Sequence, residues 1–156
     1  MPGTLSIEPL TEDRLEEAVD LVMRVFGPAF EKEAREELPW SLRANPDSRI
    51  TFVACLDGKM VGMIQPMVSY IHTDTYGLSW VSTDPAHQGK GIGKALVSHA
   101  EEHISHDLLK GRPGTIVIVD YTQKENPASR FYASLGYVAG PRTHNGAPVM
   151  VKILNM

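Results

Sequence analysis

An α/β domain is the fold class this sequence predicts, and three observations predict it. Residues Thr115 to Val119 are β-branched and almost continuously apolar, as in a central strand covered on both faces. Segments with apolar residues at helical spacing alternate with shorter strand-like runs along the chain. Gly89, Gly91 and Gly93 join a strand, Leu78 to Val81, to a long amphipathic helix. At 156 residues, 42% hydrophobic and 22% charged, the chain is long enough to bury a core, and no repeat or low-complexity linker divides it, so residues 1–156 are read as one domain.

Each element follows from local signals. Leu5 to Glu8 form a short strand, after which Thr11 is placed to cap a helix in which Leu15, Val19, Val22 and Phe26 recur. Gly27-Pro28 stops it. A second helix, about Phe30 to Arg43, carries many acidic residues on its exposed side, and Asn45-Pro46-Asp47 turns the chain into a strand from Ile50 to Leu56. Asp57-Gly58 predicts a hairpin whose partner strand runs from Met60 to Ile71; Gly62 and Pro66 within that strand predict an edge position or a bulge. A third strand, about Thr75 to Val81, leads to the glycines. Ile92, Leu96, Ala100 and Ile104 give the following helix one buried face, and Gly111 to Gly114 end it. The last helix runs from Pro127 to Leu135, with Gly136 suited to a left-handed C-cap, and strands close the chain around Tyr137 and from Val149 to Leu154.

The run Gln88-Gly89-Lys90-Gly91-Ile92-Gly93-Lys94-Ala95 carries the functional signal. Alternate glycines let the backbone curl so that successive N–H groups converge on one anion, and the helix adds its unpaired N-terminal donors and positive dipole end. Known phosphate loops discriminate further. A P-loop requires glycine where Gln88 stands and Ser or Thr where Ala95 stands, so no magnesium ligand is supplied. A dinucleotide fingerprint requires glycine or alanine at Lys94 or at Leu96. Both patterns fail. Gln-x-x-Gly-x-Gly preceded by Val81-Ser82-Thr83-Asp84-Pro85 resembles the acetyl-coenzyme A signature of the GCN5-related N-acetyltransferases, the GNAT family.

A second segment, Asn126-Pro127-Ala128-Ser129-Arg130-Phe131-Tyr132-Ala133-Ser134-Leu135-Gly136-Tyr137, is similar to the other coenzyme-contacting segment of that family. Structural needs account for most of it: Asn126 suits an N-cap, Pro127 the first helical position, and Phe131 with Leu135 a buried pair. Only Tyr132 lacks such an account. The two matches span about Leu78 to Tyr137, while the N-terminal half matches in element order alone. The resemblance implies a mixed, mostly antiparallel sheet flanked by about four helices and splayed between its two central strands, where the pantetheine arm enters. It also implies that backbone of Val81, Ser82 and Thr83 pairs with that arm and that N–H groups of Gln88, Gly89, Lys90, Gly91, Ile92, Gly93, Lys94 and Ala95 hold the pyrophosphate. Asn126 and Ser129 then face the arm, and Tyr132 stands near the sulfur.

Acetyl transfer to an amine needs a neutral nucleophile, a polarised carbonyl and a protonated leaving thiolate. An amine of pKa about 10.4 is neutral in only a few molecules per ten thousand at pH 7, a deficit of roughly 4 to 5 kcal/mol. A base or a desolvating pocket must supply it. Tyrosine stays protonated where a thiolate of pKa about 8.5 departs, which makes Tyr132 the candidate general acid. A backbone N–H of the Val81 strand is placed to polarise the carbonyl. The strand Tyr76-Gly77-Leu78-Ser79-Trp80-Val81 holds no carboxylate. Asp120, at the end of the central strand, is the candidate base, with His72 and Asp74 as alternatives that also suit solvated turns.

Other residues suit bland roles. His99, His103 and His106 follow metal-like helical spacing, but a solvated face is the expectation and no metal is called for. Cys55 lies in an apolar strand and is expected to be buried and inert; alone, it cannot form an internal disulfide. Lys90 and Lys94 suit phosphates or solvent equally, and Asp84-Pro85 suits a turn. A net charge of -4 without a basic patch excludes a nucleic-acid backbone as main partner. No apolar run approaches the roughly 20 residues of a membrane span, and no signal peptide is visible, so a cytoplasmic location is expected. The expected reaction is direct transfer from acetyl-coenzyme A to a primary amine of a small molecule or peptide, and a homodimer is compatible with it. An acyl-coenzyme A sensor without turnover is the competing reading, and an unrelated nucleotide-binding domain a third. Glu31, Glu33, Glu36 and Glu37 hint at a cationic acceptor or a soluble helix face.

Overall fold

A computed structural model of the chain describes residues 3–68, 74–119, 129–140 and 149–156. Strand β1 (Leu5–Pro9) leads through a 3-10 turn into α1 (Leu15–Phe26), followed by α2 (Glu31–Arg43). The hairpin β2 (Phe52–Leu56) and β3 (Lys59–Val68) precedes β4 (Thr75–Thr83) and α3 (Ile92–Glu102). Then come β5 (Gly114–Val119), α4 (Ser129–Ser134), β6 (Val138–Ala139) and β7 (Val149–Leu154). The strands form one sheet in the order β1-β2-β3-β4-β5-β7-β6. Every neighbouring pair is antiparallel except β4 and β5, which run parallel.

Alternation along β2 sorts the core into two layers. Phe52 and Ala54 face a cluster containing Ile92, Leu96, Val97 and Ala100 of α3, Ile116 and Ile118 of β5, and Tyr132. Val53 and Cys55 face the opposite cluster, where Ala18, Leu21 and Val22 of α1 meet Ala34 and Leu38 of α2. The sheet therefore separates α1 and α2 from α3 and α4. Gly62 explains how closely α3 approaches: a Cβ there would lie 2.8 Å from Leu96 Cδ1 and 3.1 Å from the Ser82 carbonyl oxygen. The Asp57-Gly58 turn has φ of 51° and 83°, the doubly left-handed pattern of a two-residue hairpin.

Three sequence expectations change. Thr11 precedes a 3-10 turn over Glu12–Arg14 and makes no capping bond to backbone; its hydroxyl donates to Asp13 Oδ1 at 2.5 Å instead. Strand β3 lies between β2 and β4, so Gly62 and Pro66 do not mark an edge; the register shifts on both its sides, which is the bulge alternative. Strand β5 is buried on one face only. Gly114, Ile116 and Ile118 are buried, whereas Thr115, Val117 and Val119 are half-buried, because α1 and α2 cover the other half of that sheet face. The same open face carries Val149 and Val151 of β7, which pair with Val119 and Val117, and Ile153, which is 52% exposed.

One carboxylate ties the C-terminal elements together. Glu101 on α3 accepts from the Tyr137 hydroxyl at 2.8 Å and from Lys152 Nζ at 3.0 Å, and Lys152 also donates to the Leu135 carbonyl at 2.8 Å. Burial, then the Glu101 carboxylate, pushes the Tyr137 hydroxyl above its ordinary pKa, so it remains a donor. Helix α4 ends in a Schellman motif: Tyr137 N–H donates to Tyr132 O at 3.1 Å and Gly136 N–H to Ala133 O at 3.1 Å, with Gly136 at φ 95°. Glu101→Ala is expected to cost about 2 kcal/mol, since both charged partners are partly exposed, and to lower Tm by about 5 °C in thermal unfolding. Glu101→Gln, which keeps an acceptor for Tyr137, recovers part of that loss.

Candidate active site

The site is built where two central strands part company. Parallel pairing between β4 and β5 covers only Thr75–Gly77 against Thr115–Val117. From Leu78 onward β4 has no strand partner on that side among the described residues, while β5 continues beside β7 through Val119. Backbone polar groups along this edge are left to pair with an inserted extended ligand. Opposite the opening, β4 contains a bulge. Its register with β3 jumps from Gln65↔Ser79 to Met63↔Ser82, so Trp80 and Val81 together face Ile64. Trp80 is left-handed at φ 52°, a conformation that costs a large side chain and survives only where its surroundings hold it. They do so here: its indole Nε1 donates to Glu37 Oε2 at 2.9 Å, and its ring packs edge-on against Phe26 at 5.7 Å.

The chain then turns into the glycine run. Asp84 is 4% exposed, and its Oδ1 accepts from Ala86 N–H at 3.0 Å, a local turn that starts the loop. Its Oδ2 pairs with Arg24 of α1 at 3.1 Å. The Ala86 N–H, followed by the Arg24 charge, holds this carboxyl below the ordinary aspartate range despite its burial. Gly89 and Gly91 take φ of 81° and 80° with open space where a Cβ would lie, and Gly91 is the N-cap of α3. The first helical bond runs from Ala95 N–H to Gly91 O at 3.0 Å. The N–H groups of Ile92, Gly93 and Lys94 consequently have no intrahelical acceptor. Gln88, Gly89, Lys90, Gly91 and Lys94 are solvent-exposed, Ala95 is half-buried, and Ile92 anchors the helix in the core.

Helix α4 closes the third side. A Cβ on Gly93 would lie 3.1 Å from Phe131 Cζ and 3.5 Å from Thr83 Oγ1, so the end of β4, the start of α3 and α4 meet at one point. Tyr132 is 5% exposed, with its ring 5.2 Å from Phe131 and 5.9 Å from Tyr137. Of the other expected residues, Val81 is half-buried against the α3 layer, and the buried Ser82 hydroxyl donates to the Trp80 carbonyl at 3.1 Å, inside the bulge. Asp120, Asn126 and His72 lie outside the described residues, as does the environment of the Ser129 side chain. Asp74 pairs with Arg112 at 3.2 Å, and its carbonyl accepts from Thr115 N–H at 3.0 Å, the pattern of a turn residue.

The histidines differ from expectation. His99 and His103 are half-buried, with rings 4.5 Å and 5.3 Å from Phe52, and only His106 stands on a solvated face. His99 follows the buried Leu96 by one helical turn and His103 follows His99 by another, so helical spacing already sets both rings against Phe52; the π-helical turn over His103–Leu108 begins only after His99, and burial lowers the His99 pKa. Among the described residues no group of three His, Cys, Asp or Glu is arranged to hold a metal, and no helix is long and apolar enough to cross a membrane. Cys55 is buried, with Arg14 Nη1 3.1 Å from its sulfur, and burial raises its pKa. Sequence alone did not reveal Arg24 or Arg49, and it did not set Glu37 apart from Glu31, Glu33 and Glu36. Each is an ordinary surface charge by pattern, and only the pairing across elements marks it.

Residues 47–139 match the model of the acetyltransferase (GNAT) domain. Similar solved structures include the PaiA N-acetyltransferase from Thermoplasma acidophilum in complex with coenzyme A, at TM-score 0.79 and 17% identity, covering 96% of this chain and 98% of that one. The ribosomal-protein-S18-alanine N-acetyltransferase from Escherichia coli gives TM-score 0.71 at 22% identity, covering 98% and 96%. An aminoglycoside 6'-N-acetyltransferase complexed with coenzyme A gives TM-score 0.75 at 18% identity, covering 95% and 96%. No curated protein sequence matches significantly. The match over residues 47–139, more than half of the chain, defines the class as acetyltransferase. The chain belongs to the GNAT family, as an N-acetyltransferase whose sheet, four helices and splayed centre agree with the architecture its sequence predicts.

Two measurements check the loop. Alanine strains a left-handed position, so Gly91→Ala is expected to lose about 1 kcal/mol of stability and to weaken coenzyme A binding several-fold in calorimetric titration. Asp84→Asn keeps an acceptor for Ala86 but loses the charge pair with the partly exposed Arg24, a cost of about 1 kcal/mol at pH 7. Because the native carboxyl titrates below its unfolded value, that stabilisation is complete above about pH 4 and vanishes as pH falls through the native pKa. Denaturation curves of wild type and variant therefore converge in acid.

Proposed function

We propose that this protein transfers an acetyl group from acetyl-coenzyme A directly to a primary amine of a small molecule or peptide. The meeting of Thr83, Gly93 and Phe131 at the mouth of the β4–β5 opening carries this reading. It brings the two sequence segments that resemble coenzyme-binding motifs to one place. The residues fit the ligand's parts: an unpaired strand edge suits an amide-bearing arm, and a left-handed glycine loop with a helix N-terminus suits pyrophosphate. Two of the similar structures are named for amine acceptors, an alanine of a ribosomal protein and an aminoglycoside.

In this reading the backbone of Val81, Ser82 and Thr83 holds the pantetheine arm, and Gln88 to Ala95 hold the pyrophosphate, with Asn126 and Ser129 completing the arm's contacts. The bulge at Trp80 turns backbone toward the reacting carbonyl, where an N–H polarises it. The amine, having lost a proton to a base, attacks the carbonyl; a C–N bond forms and the C–S bond breaks. The nitrogen sheds its second proton to solvent as the amide forms, and Tyr132 gives its proton to the departing thiolate and regains one from solvent, so that one proton is released overall. Asp120 is the proposed base, acting directly or through water.

Tyr132→Phe is expected to reduce kcat by about a hundredfold while changing the KM for acetyl-coenzyme A little, as read by thiol release in steady state. Unchanged turnover would remove Tyr132 from the role. Acetyl-coenzyme A offered with a panel of amines tests the activity itself: acceptor-dependent thiol release is expected, and saturable binding without release would make the protein a sensor.

A further inference from the structure

We infer that the acceptor is an amine that carries its own carboxylate, a free amino acid being the simplest case, held between Glu37 and Arg49; this rests on the acetyl-transfer reading above. The glutamates of α2 are not equivalent. Glu31 is engaged by Arg35, which also binds Glu16 of α1, and Glu33 and Glu36 face solvent. Glu37 alone turns toward the sheet, where one oxygen accepts from Trp80 Nε1 and the other has no partner among the described residues. Trp80 is the left-handed bulge residue immediately before Val81, so this carboxylate is fixed beside the strand that lines the opening.

Arg49 supplies the opposite charge. Its guanidinium lies 4.3 Å from the centroid of the Trp40 ring, and Nη1 donates to Gln65 Oε1 at 3.1 Å. Gln65 is fully buried, and its amide is aimed from below: Nε2 donates to Thr51 Oγ1 at 3.0 Å, which bonds Ser41 Oγ at 3.0 Å, and Ser41 donates to the Leu38 carbonyl at 2.7 Å. A buried amide is costly unless satisfied, and this chain of bonds satisfies it while fixing the guanidinium's position. Of the five N–H donors of Arg49, one has a protein acceptor among the described residues, and no carboxylate there lies within ion-pair distance. A flat, partly desolvated guanidinium with donors to spare matches a carboxylate.

The Glu37 charge is felt at Arg49, yet the two side chains do not pair, because each is anchored by a different indole and a different strand. Opposite charges kept close and apart fit a ligand bearing both. On the half-buried face of β4, Ser79 pairs with Gln65, which holds Arg49, and Gly77 pairs with Met67 and contributes no side chain. Acceptors that are only cationic, such as polyamines, meet repulsion from Arg49.

The test compares an amino acid panel with the corresponding carboxamides and with a polyamine, by kcat/KM in coenzyme A release. The acids are expected to exceed their amides at least tenfold, and Arg49→Gln is expected to bring that ratio close to one, with Arg49→Lys intermediate. Coenzyme A binding to each variant reports that it is folded. Amides or polyamine used as well as the acids would overturn the inference, as would an unchanged ratio in an Arg49→Gln protein that still binds coenzyme A. If that variant does not fold, the wild-type ratio decides. Release with no amine at all instead overturns the acetyl-transfer reading, and this inference with it.

Discussion

Three residue pairs of parallel sheet, and no more, join β4 to β5, and the remaining architecture follows from that early parting. Two strands that stayed paired would bury their polar edges in each other and leave no backbone for a ligand. Separation is sustained from both sides. On β4, the bulge at Trp80 bends the strand away, held by the indole bond to Glu37. On β5, six residue pairs with β7 take up the other edge. The glycine loop lies beyond the separated end of β4, so the sheet opening and the loop adjoin each other.

The two helical layers serve different ends of that surface. Helix α3 is pressed onto β3 at Gly62, and its N-terminus is set by the core contacts of Ile92 and Leu96. Helices α1 and α2 reach the same region from the opposite face, through Arg24 to Asp84 and through Glu37 to Trp80. The start of the glycine loop and the bulge at Trp80 thus both take support from the layer of α1 and α2.

Much of this was legible in the sequence. Element order, the Asp57-Gly58 hairpin, the Gly136 cap and the strand–glycine–helix junction are local signals, set by backbone sterics within a few residues. The family resemblance added the splay, which no local pattern encodes, because strand separation depends on a bulge in β4 and on the pairing of β5 with β7 along its far edge. Misread features share one cause. Of the edge or bulge that Gly62 suggested in β3, the edge fails because a helix side chain far along the chain packs there, and the histidines of α3 looked solvated because nothing local shows that Phe52 lies against them. The proposed acceptor pair was hidden for the same reason: Glu37 is one of four similar glutamates until Trp80 singles it out.

The bonds from Lys152 to Glu101 and to the Leu135 carbonyl give the order of assembly a direction. Strand β7 inserts between β5 and β6 although it follows both in the chain. A described helix of only six residues, α4, is too short to persist alone, and it is pinned by a lysine from that final strand. During synthesis, then, the layer of α1 and α2 can close against the first strands early, whereas the α3 layer is completed only when β5, the helix bearing Tyr132 and finally β7, with Met150 and Leu154, have joined it.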